Sequence, residues 1–216
     1  MAEQVRYDKG PCEVEVCVGI REEADLHRSL IVCSKNRGHK NFIPVHQFTI
    51  EDLPEGYQDN CLVNLINVLS DLTVRVTVRH TSDSRPQTYP DNDIPYPFYA
   101  DRMRTGTGWV WNVDTFSQIY DQKSCSCEEC KLSPEPKSNW AKIVIASAAH
   151  VVFDDNEGKH ATCDLFYDKG RTPESCVGVV TLRGMSRVDT NIKEDKCKMT
   201  YVTHDMDLAS RLQNLT

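Results

Sequence analysis

The sequence predicts a mostly β protein whose strands form a sandwich or barrel from about residue 72 onward. Three observations carry this expectation. Leu72, Val74, Val76 and Val78 alternate with Thr73, Arg75, Thr77 and Arg79, the period-two pattern of an antiparallel strand with one buried and one wet face. Further β-like runs follow at 106–111, 143–145, 160–167 and 177–182, broken by polar turns. Pro86, Pro90, Pro95 and Pro97 occupy the loop after the first strand and exclude both helix and central strand there.

In chain order, the first candidate element is 13–20, where Val14, Val16 and Val18 alternate with Glu13, Glu15 and Cys17 as in a half-buried strand. Leu30-Ile31-Val32-Cys33 is a second candidate strand, ending at the turn-prone Asn36-Arg37-Gly38. Cys61, Leu62, Leu65, Ile66 and Leu69 then recur at helical spacing behind Asp59 and Asn60, whose side chains supply capping oxygens. A short amphipathic helix is expected from about 60 to 70. After the strand at 72–79 and the proline loop, Gly106-Thr107-Gly108-Trp109-Val110-Trp111 resumes extended backbone, with glycines where the chain bends or meets a neighbour. Trp109 and Trp111 share a face and are expected in the core or the barrel wall. A polar loop over 121–139 contains Pro134, Pro136 and a cysteine cluster, and Leu208 to Leu212 is read as the closing strand. Residues 1–71 are therefore read as an α+β N-terminal extension and 72–216 as the barrel.

Charge and hydropathy narrow the function classes. Lys plus Arg is 25 against 32 for Asp plus Glu, a net charge of -7, which argues against a phosphate-binding surface and so against nucleic acid as partner. The longest apolar stretch free of Asp, Glu, Lys and Arg, Ile143 to Phe153, is far short of the ~20 residues of a membrane helix. Met1 to Lys9 shows no apolar leader core, so neither export nor a membrane partner is expected and the cytoplasm is favoured. Gly106-Thr107-Gly108 runs into a strand rather than a helix, so no nucleotide-phosphate loop and no cofactor site is assigned. His39, His46 and His80 are scattered on polar ground, and Asn214-Leu215-Thr216, although it matches a glycosylation sequon, is expected to be an unmodified polar end.

Ten cysteines, at 12, 17, 33, 61, 125, 127, 130, 163, 176 and 197, are the compositional oddity. Most are expected to be buried thiols acting as small hydrophobes. Cys125-Ser126-Cys127-Glu128-Glu129-Cys130 is the one tight cluster. Three thiolates at that spacing suit part of a zinc site, but no second CxxC or HxxxH completes a tetrahedron in sequence. No metal is assigned, and local disulfides or plain loop thiols are the expected state.

Chemistry concentrates at Ile143-Val144-Ile145-Ala146-Ser147-Ala148-Ala149-His150-Val151-Val152. A strand runs into small residues that permit a tight turn and leave an imidazole standing at the strand end. This segment resembles the surroundings of the catalytic histidine in trypsin-like serine proteases. Further pieces follow that family's order: Gly106-Thr107-Gly108-Trp109-Val110 is similar to its strand before the histidine strand, 160–167 and 176–188 suit the two strands after it, and Asp205-Met206-Asp207-Leu208-Ala209 resembles its aspartate segment. The resemblance implies a six-stranded antiparallel barrel, peptide-bond hydrolysis of a peptide or protein substrate, His150 as general base, and Asp207 as the carboxylate that fixes its tautomer. Asp207 is preferred to Asp205 because it directly precedes Leu208-Ala209, and Asp205 is expected to be a solvated turn residue.

The chain also departs from the family. Val151 stands where many secreted members carry a cysteine, and Ala146 replaces a larger aliphatic residue. No Gly-Asp-Ser-Gly turn follows the aspartate; Ser147 belongs to the histidine motif, and Ser186 lacks the flanking glycine and precedes the aspartate. A histidine and an aspartate without nucleophile or oxyanion donors cannot run acyl transfer, so the chain alone is expected to be inactive. It is read as the front portion of a longer protease or as a short form kept as a binding module. Such a form would offer the exposed barrel flank to a protein partner. The alternative is a non-catalytic β-rich interaction module, in which His150 and Asp207 lie far apart.

Overall fold

The computed structural model describes residues 15–16, 43–90, 93–100, 102–121, 123–167 and 176–216. Of the first expected strand only β1, Glu15–Val16, falls among them; the strand at 30–33 and its turn at 36–38 lie outside the described residues.

Helix α1 spans Asn60–Leu72. Asp59 caps it by accepting the Cys61 N–H at 2.8 Å, and the Thr73 hydroxyl closes the last turn by donating to the Leu69 carbonyl at 2.7 Å. The expected apolar stripe divides: Leu62 and Ile66 are half-buried, whereas Cys61, Leu65 and Leu69 are exposed. Leu72 enters the core, and the chain passes directly into β2, Thr73–Val78.

The remaining strands are β3 (Arg104–Ser117), β4 (Asn139–Ser147), β5 (Ala161–Leu165), β6 (Val180–Arg183), β7 (Arg187–Asn191) and β8 (Lys196–Thr203). Their order is β6-β5-β2-β3-β4-β8-β7, every pairing is antiparallel, and β1 adds to the start of β3. The sheet is curled, and a simple length argument shows why. The two edge strands, β6 and β7, are consecutive in the chain and joined only by Gly184-Met185-Ser186, which span roughly 14 Å even when extended. Only a rolled sheet brings its edges that close. The link is seated by Met185 N–H to Gly158 O (2.8 Å) and Ser186 N–H to Thr200 O (2.7 Å), with Gly184 at φ +74° making the turn. Val74, Val76, Val78, Ile143, Ile145, Leu165 and Met199 fill the inside of the roll. The fold is mostly β, a half-barrel. Among the described residues its continuous ladder holds seven strands where six were expected: 208–212 is not one of them, and the hairpin of β7 and β8 is added.

Two other expectations are corrected. Residues 208–212 are not a strand but lie in a helix, Met206–Gln213, capped by the Asp205 carboxylate accepting Leu208 N–H at 2.9 Å. Leu208, Ala209 and Leu212 recur at helical spacing and pack into the core, so period 3.6, not 2, governs there. Trp109 and Trp111 are not core residues: they are 45% and 54% exposed on the outer face, and the ladder to β4 shifts register between Val110 and Asn112. Both alternate with buried Gly108 and Val110, and the Lys198 ammonium lies 4.4 Å from the Trp111 ring centre. Among the described residues no helix is long and apolar enough to cross a membrane.

Candidate functional site

His150 stands in the turn that leaves β4. The amides of Val151 and Val152 both donate to the Ala148 carbonyl, and Ala149 is fully buried, which requires a small side chain there. Ser147 is engaged elsewhere, its hydroxyl donating to Thr107 O at 2.8 Å. The imidazole is 7% exposed. Its Nδ1–H donates to Asp195 Oδ2 at 2.6 Å, while Asp195 Oδ1 accepts the His150 backbone N–H at 3.0 Å. Both carboxylate oxygens thus hold one residue. Asp195 sits in the turn of the β7–β8 hairpin at φ +51°, a left-handed conformation that Asp tolerates better than most residues. A carboxylate on Nδ1–H leaves Nε2 as the ring nitrogen with the lone pair, the tautomer needed to take a proton.

The carboxylate on His150 is therefore that of Asp195. Asp207 is an exposed residue in the first turn of the 206–213 helix, and Asp205 is that helix's cap. A local motif match missed Asp195, which lies 45 residues beyond the histidine. The available signal was the period-two run in β8; read as a strand paired with Arg187–Asn191, it puts Asp195 in a hairpin turn.

Beneath the histidine turn lies a buried ion cluster that composition did not reveal. Glu157, in the short helix Asp155–Lys159, is fully buried with Arg85 and Arg104. Its Oε1 accepts from Ser82 N–H (2.9 Å) and Arg85 Nε (2.6 Å); its Oε2 accepts from Arg85 Nη2 (2.7 Å), Arg104 Nη2 (2.6 Å) and Phe153 N–H (2.8 Å). The same guanidiniums reach the histidine turn, Arg85 donating to His150 O (3.1 Å) and Arg104 to Val151 O (2.8 Å). Burial lowers the Arg104 guanidinium to about 10 against the opposing pull of Glu157. The cluster positions the backbone from which the imidazole projects.

A second constellation lies at the other end of β4. Cys125, Cys127 and Cys130 come from the loop between β3 and β4, and His204 follows β8. His204 Nε2 is 3.2, 3.8 and 3.4 Å from the sulfurs of Cys125, Cys127 and Cys130, and all four ligand atoms lie within 4.8 Å of one another. Cys127 caps the short helix Glu128–Leu132, and Cys125 and Cys130 are buried with Trp140, which stacks on Phe116 at 4.3 Å. Burial pushes the Cys125 thiol up to about 12. Burial also opposes ionisation of Cys127, yet the Cys130 amide and the neighbouring Cys125 and Cys130 side chains outweigh it and lower that thiol. The seven described cysteines are free thiols; of these, Cys197 in the core is pushed by burial up to about 12 and is unreactive.

No family model, curated protein or solved structure matches the chain.

Proposed function

We propose that this half-barrel is the base-bearing unit of a serine-endopeptidase-like system, with His150 as general base and Asp195, in place of Asp207, as the carboxylate that orients it. The observation that carries the reading is the two-point grip of Asp195 on His150, 2.6 Å to Nδ1 and 3.0 Å to the backbone amide. That grip fixes the ring and favours the imidazolium formed when Nε2 takes a proton from a hydroxyl nucleophile. The buried Arg85–Glu157–Arg104 cluster supports it by preorganising the turn, as a general base requires. Residues 1–216 carry no Gly-Asp-Ser-Gly turn, so this reading requires the serine and the oxyanion donors to be supplied by other polypeptide.

The test uses the natural gene product, tagged at its own locus, and a fluorophosphonate probe that labels only activated serines. The expected result is a labelled serine whose labelling is lost in His150→Ala and strongly slowed in Asp195→Asn. An unlabelled natural product, or labelling indifferent to His150→Ala, overturns the proposal. In that case the non-catalytic interaction module, for which the exposed Trp109–Trp111 face offers a contact surface, replaces it.

A further inference from the structure

We propose that Cys125, Cys127, Cys130 and His204 bind one zinc ion as a closed structural site. The inference is independent of the protease-like reading. A tetrahedron with Zn–S ~2.3 Å and Zn–N ~2.0 Å requires about 3.6 Å between each sulfur and the nitrogen. The observed 3.2, 3.8 and 3.4 Å straddle that figure. All four donors are of the types zinc prefers, and four donors leave no open position, so the site is structural rather than catalytic.

The surroundings of the sulfurs are independent support. Each accepts a backbone N–H: Cys125 from Cys127 (3.5 Å), Cys127 from Cys130 (3.3 Å) and Cys130 from Lys137 (3.4 Å). Amides aimed at sulfur stabilise thiolates and hold them in position for a cation. A purely apolar thiol cluster has no need of them.

The placement also gives the ion a task. The β3–β4 connection runs from Gln118 to Ser138, much longer than the few residues of an ordinary hairpin. Its short helices bury little, and its anchors are the Cys125–Cys130–Trp140 cluster and the contacts of the sulfurs with His204. Zinc would staple this loop to the end of β8 and the start of the last helix. The site lies beside the first residues of β4, and His150 lies past its last, about 26 Å of strand away. Metal loss is therefore expected to leave the His150–Asp195 pair in place, which keeps the two proposals separately testable.

The experiment is elemental analysis of the full chain, purified under reducing conditions without chelator or added metal. One zinc per chain is expected. Cys61→Ser, on exposed helix α1, keeps it, whereas Cys125→Ser and His204→Ala each fall below about a tenth of a zinc per chain. Should those variants not fold, the wild-type chain answers the question: chelation is expected to expose three additional reactive thiols and to open Lys123, Lys131 and Lys137 to trypsin, both reversed by adding zinc back. Absence of stoichiometric metal overturns the proposal, as do stoichiometric iron in its place, zinc retained in both ligand variants, or a mass two hydrogens low that reveals a disulfide.

Discussion

Glu157→Gln is the sharpest test of how the histidine turn is held. The substitution keeps shape and volume but removes a charge that neutralises two buried guanidiniums, those of Arg85 and Arg104. All five partners of the carboxylate are donors, two on Oε1 and three on Oε2. Glutamine offers one acceptor oxygen, so either orientation turns its NH2 group against at least two N–H donors. Breaking a buried ion pair by removing one partner costs about 3–5 kcal/mol. For a chain of this size that corresponds to a fall in Tm of about 6–20 °C, or about 1.5–2.5 M in urea midpoint at an m-value of ~2 kcal/mol/M. Denaturation followed by circular dichroism measures it. Glu194→Gln is the control: it breaks the Lys196–Glu194 pair, 2.9 Å long but exposed, and is expected to change stability by less than about 1 kcal/mol. A Glu157→Gln loss no larger than that of the control would refute the claim that the cluster anchors the turn.

The other predictions concern single positions. Asp195→Asn is expected to shift the ring-nitrogen resonances of His150, while Asp207→Asn leaves them unmoved; in the natural product, serine labelling should drop by on the order of 10^4 only in the first. Gly108→Ala places a methyl 2.8 Å from the Ala146 carbonyl and 3.0 Å from Val76, and should cost about 1–3 kcal/mol in denaturant melts. Trp111→Ala, despite removing the largest type of side chain, should cost about 0.5 kcal/mol or less, because the ring is exposed and its cation contact with Lys198 is solvated.

Much of the fold was legible in local pattern. A period-two run located β2, shorter β-like runs fell on β3, β4, β5 and β6, and Asp59 with its apolar followers located α1 to within about two residues at its end. The misses have physical causes. The 208–212 segment is apolar enough for either period, and Asp205 as a cap decides for helix. The tryptophans alternate with buried Gly108 and Val110, so the strand pattern puts both on one face, but which face turns outward depends on how the sheet rolls. The α1 stripe divides because the helix meets the core only near its end, where Leu72 is buried and Val68 packs against the cluster, while Leu65 and Leu69 stay exposed.

The mostly β class, the tight histidine turn with its small residues and the three-cysteine cluster can all be read along the chain. Each is a property of neighbours along the chain, where steric preference and side-chain periodicity act over a few residues. Three pairings arise in the folded sheet alone: Asp195 rather than Asp207 holds His150, Glu157 lies between two arginines, and His204 meets cysteines 74 to 79 residues earlier. Those pairings depend on which strands lie side by side and in what register when the sheet rolls. Local pattern assigns a face to each strand but not a partner, and it is the partner that turns a lone histidine or three thiols into a site.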